Sequence, residues 1–127
     1  MVGVVIATHG RLAESFLEVA EAILGKQEAI TAIGVLPDDG KKEISEHLMQ
    51  AVADVRQTDG VLILTGIFGE SDCQMSLSLF AGQNIRVITG LNLPMLLKVL
   101  THRATLNLAE LTTCACEGGK SGIIAAN

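Results

Sequence analysis

The chain has 127 residues, of which 49% are hydrophobic, and it carries a formal net charge of −5. A chain of this length is typically a single domain, here residues 1–127, and its hydrophobicity excludes a disordered protein. An acidic chain without Trp or Tyr and with three Phe lacks the clustered cations and stacking rings of nucleic-acid-binding proteins. No apolar run reaches about 18 residues and no basic stretch precedes the apolar start. We therefore expect no membrane span, no signal peptide and a cytoplasmic location.

The first half of the chain alternates between strand and helix patterns. Residues 2–7 form a short apolar, β-branched run, which predicts a strand buried on both faces, and residues 29–36 predict a second strand. A helix then extends to about residue 57, and Asp38 or Asp39 is expected to cap its start. An earlier helix lies between the two strands, and its apolar stripe is expected to face the core through Leu12, Phe16, Val19, Ala20, Ile23 and Leu24.

The second half continues this alternation. Residues 60–65 give the strongest buried-strand signal of the sequence, and residues 85–89 predict a fourth strand. A helical stretch with apolar residues on one side lies between them, at about residues 73–80. After the fourth strand, Pro94 suits the first turn of a helix that extends to about residue 102.

The C-terminal part predicts one more helix, over about residues 106–117. We expect Gly118 and Gly119 to break it, because glycine is a poor helix former, and residues 122–126 to form a last short strand. The resulting order is β-α-β-α-β-α-β-α-α-β. It predicts an α/β fold, a single-domain, open, mostly parallel sheet with helices on both faces.

The loops at the carboxyl ends of the strands are the candidate site, because ligands of open α/β sheets bind there. His9 is the one histidine of these loops. Ser71 is expected to cap the helix after the third strand, so that backbone N–H groups form an anion site. The loop residues are Thr8, His9, Gly10 and Arg11 after the first strand, Phe68, Gly69, Glu70 and Ser71 after the third, and Gly90, Leu91 and Asn92 after the fourth.

His9 has two interpretations at this point. An imidazole that keeps one nitrogen unprotonated near neutral pH, beside an anion site and without metal ligands, indicates nucleophilic attack on a phosphoryl group. Such a transfer needs little beyond in-line positioning and donors for the phosphoryl oxygens. The alternative is that His9 only ends the strand and hydrogen-bonds to the backbone. No metal site is expected, since Cys114, Cys116 and the upstream His102 do not follow a zinc-ligand spacing.

Asn92 also has two interpretations. Its side-chain amide could support the loop that carries His9, or bind a phosphoryl oxygen. The alternative is an ordinary turn-forming asparagine before a helix.

Several segments, in order and with matching spacing over nearly the whole chain, match one known family. They are VVIATHG at 4–10, AEAILG at 20–25, GVLIL at 60–64, Phe68-Gly69 with Ser71, and GLNLPML at 90–96. With these segments the sequence resembles the mannose-type IIA components of the bacterial phosphoenolpyruvate-dependent sugar phosphotransferase system.

The resemblance implies that His9 accepts a phosphoryl group from the phosphocarrier protein HPr. His9 would then pass it to a IIB protein or domain for sugar uptake and phosphorylation. No metal and no organic cofactor is implied, because the phosphoryl group arrives from a protein. A homodimer is implied, in which a C-terminal strand, here within residues 118–126, is exchanged between subunits. The residues expected to bind or support the phosphoryl group are Thr8, Gly10, Phe68, Gly69, Ser71 and Asn92.

The sequence departs from the family beside the histidine. The family carries an Asp just after the third strand, which orients the histidine ring, and this position is Gly66 here. A family glycine and a family proline further along the loop are replaced by Glu70 and Asp72. Loss of a histidine's carboxylate partner can cost orders of magnitude in rate.

Three alternatives follow from this departure. In the first, Glu70 or Asp72 orients His9, and Arg11 offsets part of the negative charge. In the second, His9 is phosphorylated slowly and its phosphorylation state acts as a signal. In the third, the domain has lost phosphotransfer and is a regulatory binding module on the same fold.

Overall fold

The computed structural model describes residues 1–56, 58–67 and 71–127, except for the side chain of Asp72. Within these residues the strands are β1 (Gly3–His9), β2 (Ile30–Val35), β3 (Val61–Thr65) and β4 (Ile85–Thr89). The helices are α1 (Leu12–Leu24), α2 (Lys41–Val55), α3 (Ser71–Leu79), α4 (Leu93–His102) and α5 (Leu108–Ser121). None of the helices in this described part of the chain has the length and apolar character needed to cross a membrane.

The four strands are parallel and follow the order β2-β1-β3-β4. β1 is central, since Val4 pairs with Ile30 of β2 on one side and with Leu62 of β3 on the other. Helices α1, α4 and α5 pack on one face of the sheet, and α2 and α3 pack on the opposite face. The predicted α/β fold, with an open parallel sheet between two helical layers, is confirmed.

The two central strands are buried on both faces, as their unbroken apolar runs predict. Successive side chains of β1 alternate between the layers, so that Val4 and Ile6 join one core cluster while Val5 and Ala7 join the other. Full burial of such a side chain contributes about 1.5–3 kcal/mol, less for alanine. The carboxyl end of β1 is therefore fixed by a core on both sides of the sheet.

Helix α1 buries less of its apolar surface than predicted. In α1, which the structure describes completely, the fully buried side chains are Ala13 and Ala20. These small residues let the helix approach the sheet closely. The apolar arc is wider than the surface in contact with the core, so the prediction is wrong for Leu12, Val19, Ile23 and Leu24, which are exposed.

Helix α5 passes through the two glycines that were predicted to end it. A Cβ atom at Gly118 would lie 2.5 Å from Cγ of Lys98, and one at Gly119 would lie 2.8 Å from Cε of Met95. Both glycines are buried. Their lack of a side chain lets α5 pack closely against α4, and this contact outweighs the low helix propensity of glycine.

The predicted strand over residues 122–126 is absent from the single chain. Residues 122–127 have no regular secondary structure, and Ile123 and Ile124 are exposed. A strand needs a neighbouring strand to satisfy its backbone groups, and this segment pairs with none in the described part of the chain. Exchange of the segment between subunits stays a prediction.

The prediction that Asp38 or Asp39 caps α2 is also wrong. The residue before the helix is Gly40, and no side chain caps the helix there. Oδ2 of Asp39 instead accepts a hydrogen bond from the N–H of Leu36 at 2.8 Å. This carboxylate therefore closes the turn that follows β2, before α2 begins.

Candidate functional site

The strand order places a crevice beside His9. From β1 the chain crosses to β2 on one side, and from β3 it crosses to β4 on the other side, so the order reverses between β1 and β3. In open α/β sheets this reversal leaves a crevice outside the carboxyl ends of the two strands. One wall of the crevice is the turn after β1, residues 8–11. The other wall is the segment that follows Thr65 at the end of β3.

The first wall is held by Thr8, which is buried. Its Oγ1 accepts a hydrogen bond from the N–H of Ala13 at 2.7 Å and donates one to the carbonyl of His9 at 3.3 Å. The first contact satisfies an N–H in the first turn of α1 that has no partner within the helix. Thr8 therefore connects the start of α1 to the end of β1, and its hydroxyl is hydrogen-bonded to the backbone of His9.

Gly10 makes the sharp turn that separates β1 from α1. Its φ is +59°, in the left-handed region that favours glycine. Its N–H donates to the carbonyl of Val35 at 3.0 Å, which joins the turn to β2. The Gly10 amide is therefore engaged within the protein, and Gly10 supports the site by shaping the turn.

Gly34 of β2 was not among the predicted site residues. A Cβ atom at this position would collide with the carbonyl oxygen of Gly10. Gly34 therefore lets the turn after β1 lie directly on β2. An isolated glycine inside a predicted strand is a sequence signal for such a close backbone approach, and it could have identified this residue.

His9 is the last residue of β1 and its side chain is exposed at the crevice. Its backbone pairs in register with Val35 of β2. The other two histidines lie elsewhere, since His47 is on α2 and His102 is in the last turn of α4. The prediction that His9 is the histidine at the carboxyl edge is confirmed. The site combines a backbone fixed by the sheet with an accessible imidazole, which is the arrangement a nucleophile requires.

Arg11 follows this turn and precedes α1. Its Nη2 lies 3.2 Å from Oε2 of Glu14, in an exposed ion pair between residues three apart. Exposed pairs of this kind contribute little and exchange partners readily. The guanidinium of Arg11, which follows His9 by two residues, is thus accessible, and Glu14 offsets part of its charge.

The second wall begins at Gly66, the position where the resemblance implies an aspartate. A Cβ atom at this position would meet no atom of the described residues within 4 Å, and the φ of Gly66 is outside the left-handed region. Its carbonyl accepts a hydrogen bond from the N–H of Gly90 at 3.0 Å. The position therefore has room for a side chain. The predicted site residues Phe68, Gly69 and Glu70 and the side chain of Asp72 lie outside the described residues.

Ser71 is the first residue of α3 and is exposed. It was predicted to precede the helix as its cap. The N–H groups in the first turn of a helix have no partners within the helix, and the helix dipole favours an anion there. Ser71 is one of the residues that line an open groove of about 690 Å³ between α2 and α3, together with Asp39, Lys41, Ile44 and Met75.

Asn92 is used within the fold. Its Oδ1 accepts a hydrogen bond from the N–H of Met95 at 2.9 Å, and its Nδ2 donates to the carbonyl of Gly119 at 3.0 Å. Asn92 therefore caps α4 and holds the end of α5 against it. The geometry favours the interpretation of a turn-forming residue before a helix, extended by the bond to α5.

Cys114 and Cys116 lie on α5, and His102 lies in the last turn of α4. Within residues 1–56, 58–67 and 71–127, no group of three or more His, Cys, Asp or Glu side chains is close enough to hold a metal ion. Cys73 of α3 is buried in the protein interior.

The family described as the PTS system fructose IIA component, or EIIA-man, matches residues 3–115. The chain belongs to this EIIA family. Members of the EIIA family are components of the sugar phosphotransferase system, so the resemblance seen in the sequence is confirmed.

Two EIIA proteins are similar to this chain over most of its length. The mannose-specific EIIAB component of Escherichia coli K12 is 32% identical over 124 residues, which are 96% of this chain and 38% of that protein. The fructose-specific EIIA component of Bacillus subtilis is 31% identical over 112 residues, or 87% of this chain and 77% of that protein. The chain thus spans well under half of the E. coli EIIAB component.

Solved structures of EIIA proteins share the fold. The EIIA component of Streptococcus agalactiae has a TM-score of 0.89 at 25% identity, covering 98% of this chain and 97% of that one. The mannose/sorbose-specific IIA subunit of Enterococcus faecalis also has a TM-score of 0.89, at 21% identity, covering 99% and 95%. The likeness to the E. faecalis subunit bears on the fold alone.

Proposed function

We propose that this EIIA protein is a phosphocarrier that accepts a phosphoryl group on His9 from HPr and passes it to a IIB protein or domain. The observation that carries the proposal is the accessible imidazole of His9 at the crevice, on a turn that is bonded to both β2 and α1. This role, which draws on phosphoenolpyruvate, would be performed in the cytoplasm.

The chemical step is a displacement at phosphorus. A nitrogen of the neutral His9 ring forms a bond to phosphorus while the P–N bond to the donor's histidine breaks. The electron pair of the broken bond returns to the donor ring. The two imidazoles exchange states, so no net proton is gained or lost, and no metal or organic cofactor is consumed. Transfer to the IIB acceptor is the same kind of step with His9 as the donor.

Residues around the crevice have different parts in this proposal. Thr8 and Gly10 position the ring, because their polar groups are engaged within the turn. The N-terminus of α3 at Ser71 stabilises the negative charge of the phosphoryl oxygens through backbone N–H groups. Arg11 offers an accessible positive charge beside His9. Transfer through a loose transition state depends mainly on such positioning and charge stabilisation. Roles for Phe68, Gly69, Glu70 and Asp72 remain predictions from the sequence.

The test is intact-mass analysis over time, with the protein mixed with phosphoenolpyruvate, enzyme I and HPr. The expected result is an acid-labile gain of one phosphoryl group that is absent in His9→Ala. The exposed His47 of α2 gives a matched control, and His47→Ala should be phosphorylated at the wild-type rate. No gain on the wild-type protein, with HPr shown to be charged, would contradict the proposal.

A second candidate function is favoured by one observation, that a Cβ atom at Gly66 would meet no atom of the described residues within 4 Å. Without a carboxylate there, the protein could bind phosphorylated or unphosphorylated HPr as a regulatory module and carry no flux. Slow phosphorylation, with a half-time far longer than a transport cycle, would support this function. The rate measured in the same experiment therefore separates the two candidates.

We also propose a homodimer formed through the C-terminal segment. The exposed Ile123 and Ile124 and the segment's lack of backbone pairing support it. Truncation after Gly122 leaves α5 intact and removes only the last five residues. The mass by light scattering should fall from dimer to monomer, and an unchanged dimer would contradict exchange of this segment.

A further inference from the structure

The segment that follows β4 is bonded to the end of β3. The N–H of Gly90 donates to the carbonyl of Gly66 at 3.0 Å, and the N–H of Leu91 donates to the carbonyl of Thr65 at 3.1 Å. The buried hydroxyl of Thr65 also donates to the carbonyl of Ile88, at 3.4 Å. Thr65 ends β3, and Gly66 begins the second wall of the crevice. The start of this wall is therefore held from the β4 side.

Asn92, the next residue, connects this segment to two helices. Its Oδ1 accepts from the N–H of Met95 in the first turn of α4, and its Nδ2 donates to the carbonyl of Gly119 near the end of α5. The last four carbonyls of a helix have no partner within the helix. In α5, those of Gly118 and Lys120 accept N–H groups of residues that follow the helix, whereas that of Gly119 accepts the amide of Asn92. One side chain thus caps the start of α4 and the end of α5.

The bond to Gly119 is the direct link between segment 90–92 and α5. In the part of the chain that the structure describes, no other hydrogen bond joins the two. Beside the bond lies an open cavity of about 170 Å³, which Gly90, Asn92, Gly119 and Ile123 help to line. The space next to the bond is thus not filled by packed side chains. Without the amide donor, the segment would have no direct bond to α5.

We propose that Asn92 is a positioning residue for phosphoryl transfer at His9, because it fixes the segment that holds the second wall of the crevice. The proposal rests on the proposed function and deepens it. Asn92 is half-buried and both ends of its amide are engaged, so it acts through the backbone of Gly90 and Leu91. Phosphoryl transfer depends mainly on positioning, and a small displacement of a positioning element lowers its rate.

Asn92→Asp separates the two bonds of the amide. Aspartate still accepts from the N–H of Met95, because it caps helices as well as asparagine does. It has no hydrogen to donate, so the carbonyl of Gly119 loses its partner. Asn92→Ser makes the same separation without adding a charge, since serine is also a good cap and has no amide group to offer.

Asn107 gives a matched control at the start of α5. Its Oδ1 accepts from the N–H of Glu110 at 2.8 Å, as Oδ1 of Asn92 does from Met95. Its Nδ2 makes no hydrogen bond within the described residues. Asn107→Asp and Asn107→Ser therefore repeat the two substitutions at a helix cap without breaking a link to another helix.

The first readout is the kinetics of phosphorylation by phosphorylated HPr, measured well below the melting temperature of each variant. Loss of the bond should lower kcat at least about fivefold in both Asn92 variants. KM should stay within about twofold of the wild type, because a half-buried residue is not a contact for HPr. Both Asn107 variants should match the wild type.

The second readout is amide hydrogen exchange, followed by NMR. In the Asn92 variants the amides of Gly90 and Leu91 should exchange about fivefold faster, because their bonds to the end of β3 open more often. This increase should exceed any increase at the amides of β1, which report opening of the whole sheet. A role confined to the stability of the fold would not produce this local difference.

Unchanged kcat in the folded Asn92 variants would overturn the proposal, even if their melting temperature falls. A loss of rate that is confined to Asn92→Asp would also overturn it. So would a loss that disappears at high salt, because the added charge would then explain the effect.

The proposed function fails in a different way. If the wild type is phosphorylated and the Asn92 variants match the Asn107 variants, the phosphocarrier function stands and the positioning role is wrong. If charged HPr does not phosphorylate the wild type, the phosphocarrier function is wrong, and the role of Asn92 in transfer is wrong with it. Faster exchange at Gly90 and Leu91 would in that case support only the link between α5 and the end of β3.

Discussion

The two walls of the crevice are built in opposite ways. On the β1 side, Thr8 bonds to α1, Gly10 bonds to β2, and Gly34 makes room for the turn. On the β3 side lies Gly66, where a Cβ atom would meet no atom of the described residues within 4 Å. The comparison teaches that the backbone of His9 is fixed from the β1 side of the crevice. Gly66 itself offers no side chain to the histidine ring from the β3 side.

The largest effect is expected from filling the space between β2 and the turn that follows β1. Gly34→Val would force a side chain into the carbonyl oxygen of Gly10, and overpacking of this kind costs about 3 kcal/mol. The free energy of unfolding from urea denaturation should fall by about that amount, and phosphorylation of the remaining folded protein should be slow. Gly66→Ala is the matched control, since a Cβ atom there is unobstructed and stability should be unchanged.

The next effect concerns the hydroxyl that ties the two elements of the first wall. Thr8→Val keeps the shape of the side chain but leaves the N–H of Ala13 without its partner, which should cost about 2 kcal/mol. The phosphorylation rate should fall while KM for HPr stays constant, because only the position of His9 is disturbed. Thr8→Ser, which retains the hydroxyl, should recover most of the rate. A Thr8→Val protein of wild-type stability would show that this hydrogen bond does not hold the turn.

On the β3 side of the crevice, a carboxylate can be added at Gly66, the position where the resemblance implies an aspartate. Gly66→Asp introduces a carboxylate at a position where a Cβ atom meets no described atom within 4 Å and where φ is outside the left-handed region. Orientation of the ring should raise the phosphorylation rate about tenfold, equivalent to about 1.4 kcal/mol in the barrier. Gly66→Asn separates charge from shape and should give a smaller gain. A rate that Gly66→Asp leaves unchanged would indicate that His9 is already oriented by another group.

The smallest effect is expected at Arg11. Arg11→Gln removes an exposed cation that is shared with Glu14, so the rate should fall by no more than about threefold and stability should be unchanged. Because exposed charges are screened, the difference should shrink as the salt concentration rises. Lys26→Gln removes a charge of the same sign beyond the far end of α1 and serves as the control. A salt-independent loss at Arg11 would contradict an electrostatic role.

The sequence was informative where a single pattern determines structure. Short runs rich in apolar and β-branched residues predict the four strands, and residues 85–89 match β4 in both limits. The runs are continuously apolar in β1 and nearly so in β3, the two strands that are buried on both faces. The position of His9 at the carboxyl edge follows from the end of the first run. The family resemblance, based on segments spread over the chain, is confirmed by the family match over residues 3–115.

The sequence was less informative where tertiary packing decides which side chains are buried and where a helix ends. The stripe of α1 contains enough apolar residues for burial, but it does not reveal that Ala13 and Ala20 face the sheet while Leu12 and Ile23 remain exposed. Gly118 would end an isolated helix, and only the closeness of α4 explains why α5 continues. Gly34 was missed because its importance lies in a backbone contact with a turn that is distant in the sequence.

The short segment after β4 serves two parts of the molecule at once. The N–H groups of Gly90 and Leu91 donate to the carbonyls of Gly66 and Thr65, at 3.0 and 3.1 Å, and Asn92 bonds to Gly119 near the end of α5. Three consecutive residues thus connect the wall beside His9 with the last helix. Insertion or deletion of a single residue there could not preserve both sets of bonds, so this segment has an essentially fixed length. Substitution is therefore the kind of change that it can accommodate, and a change of length is not.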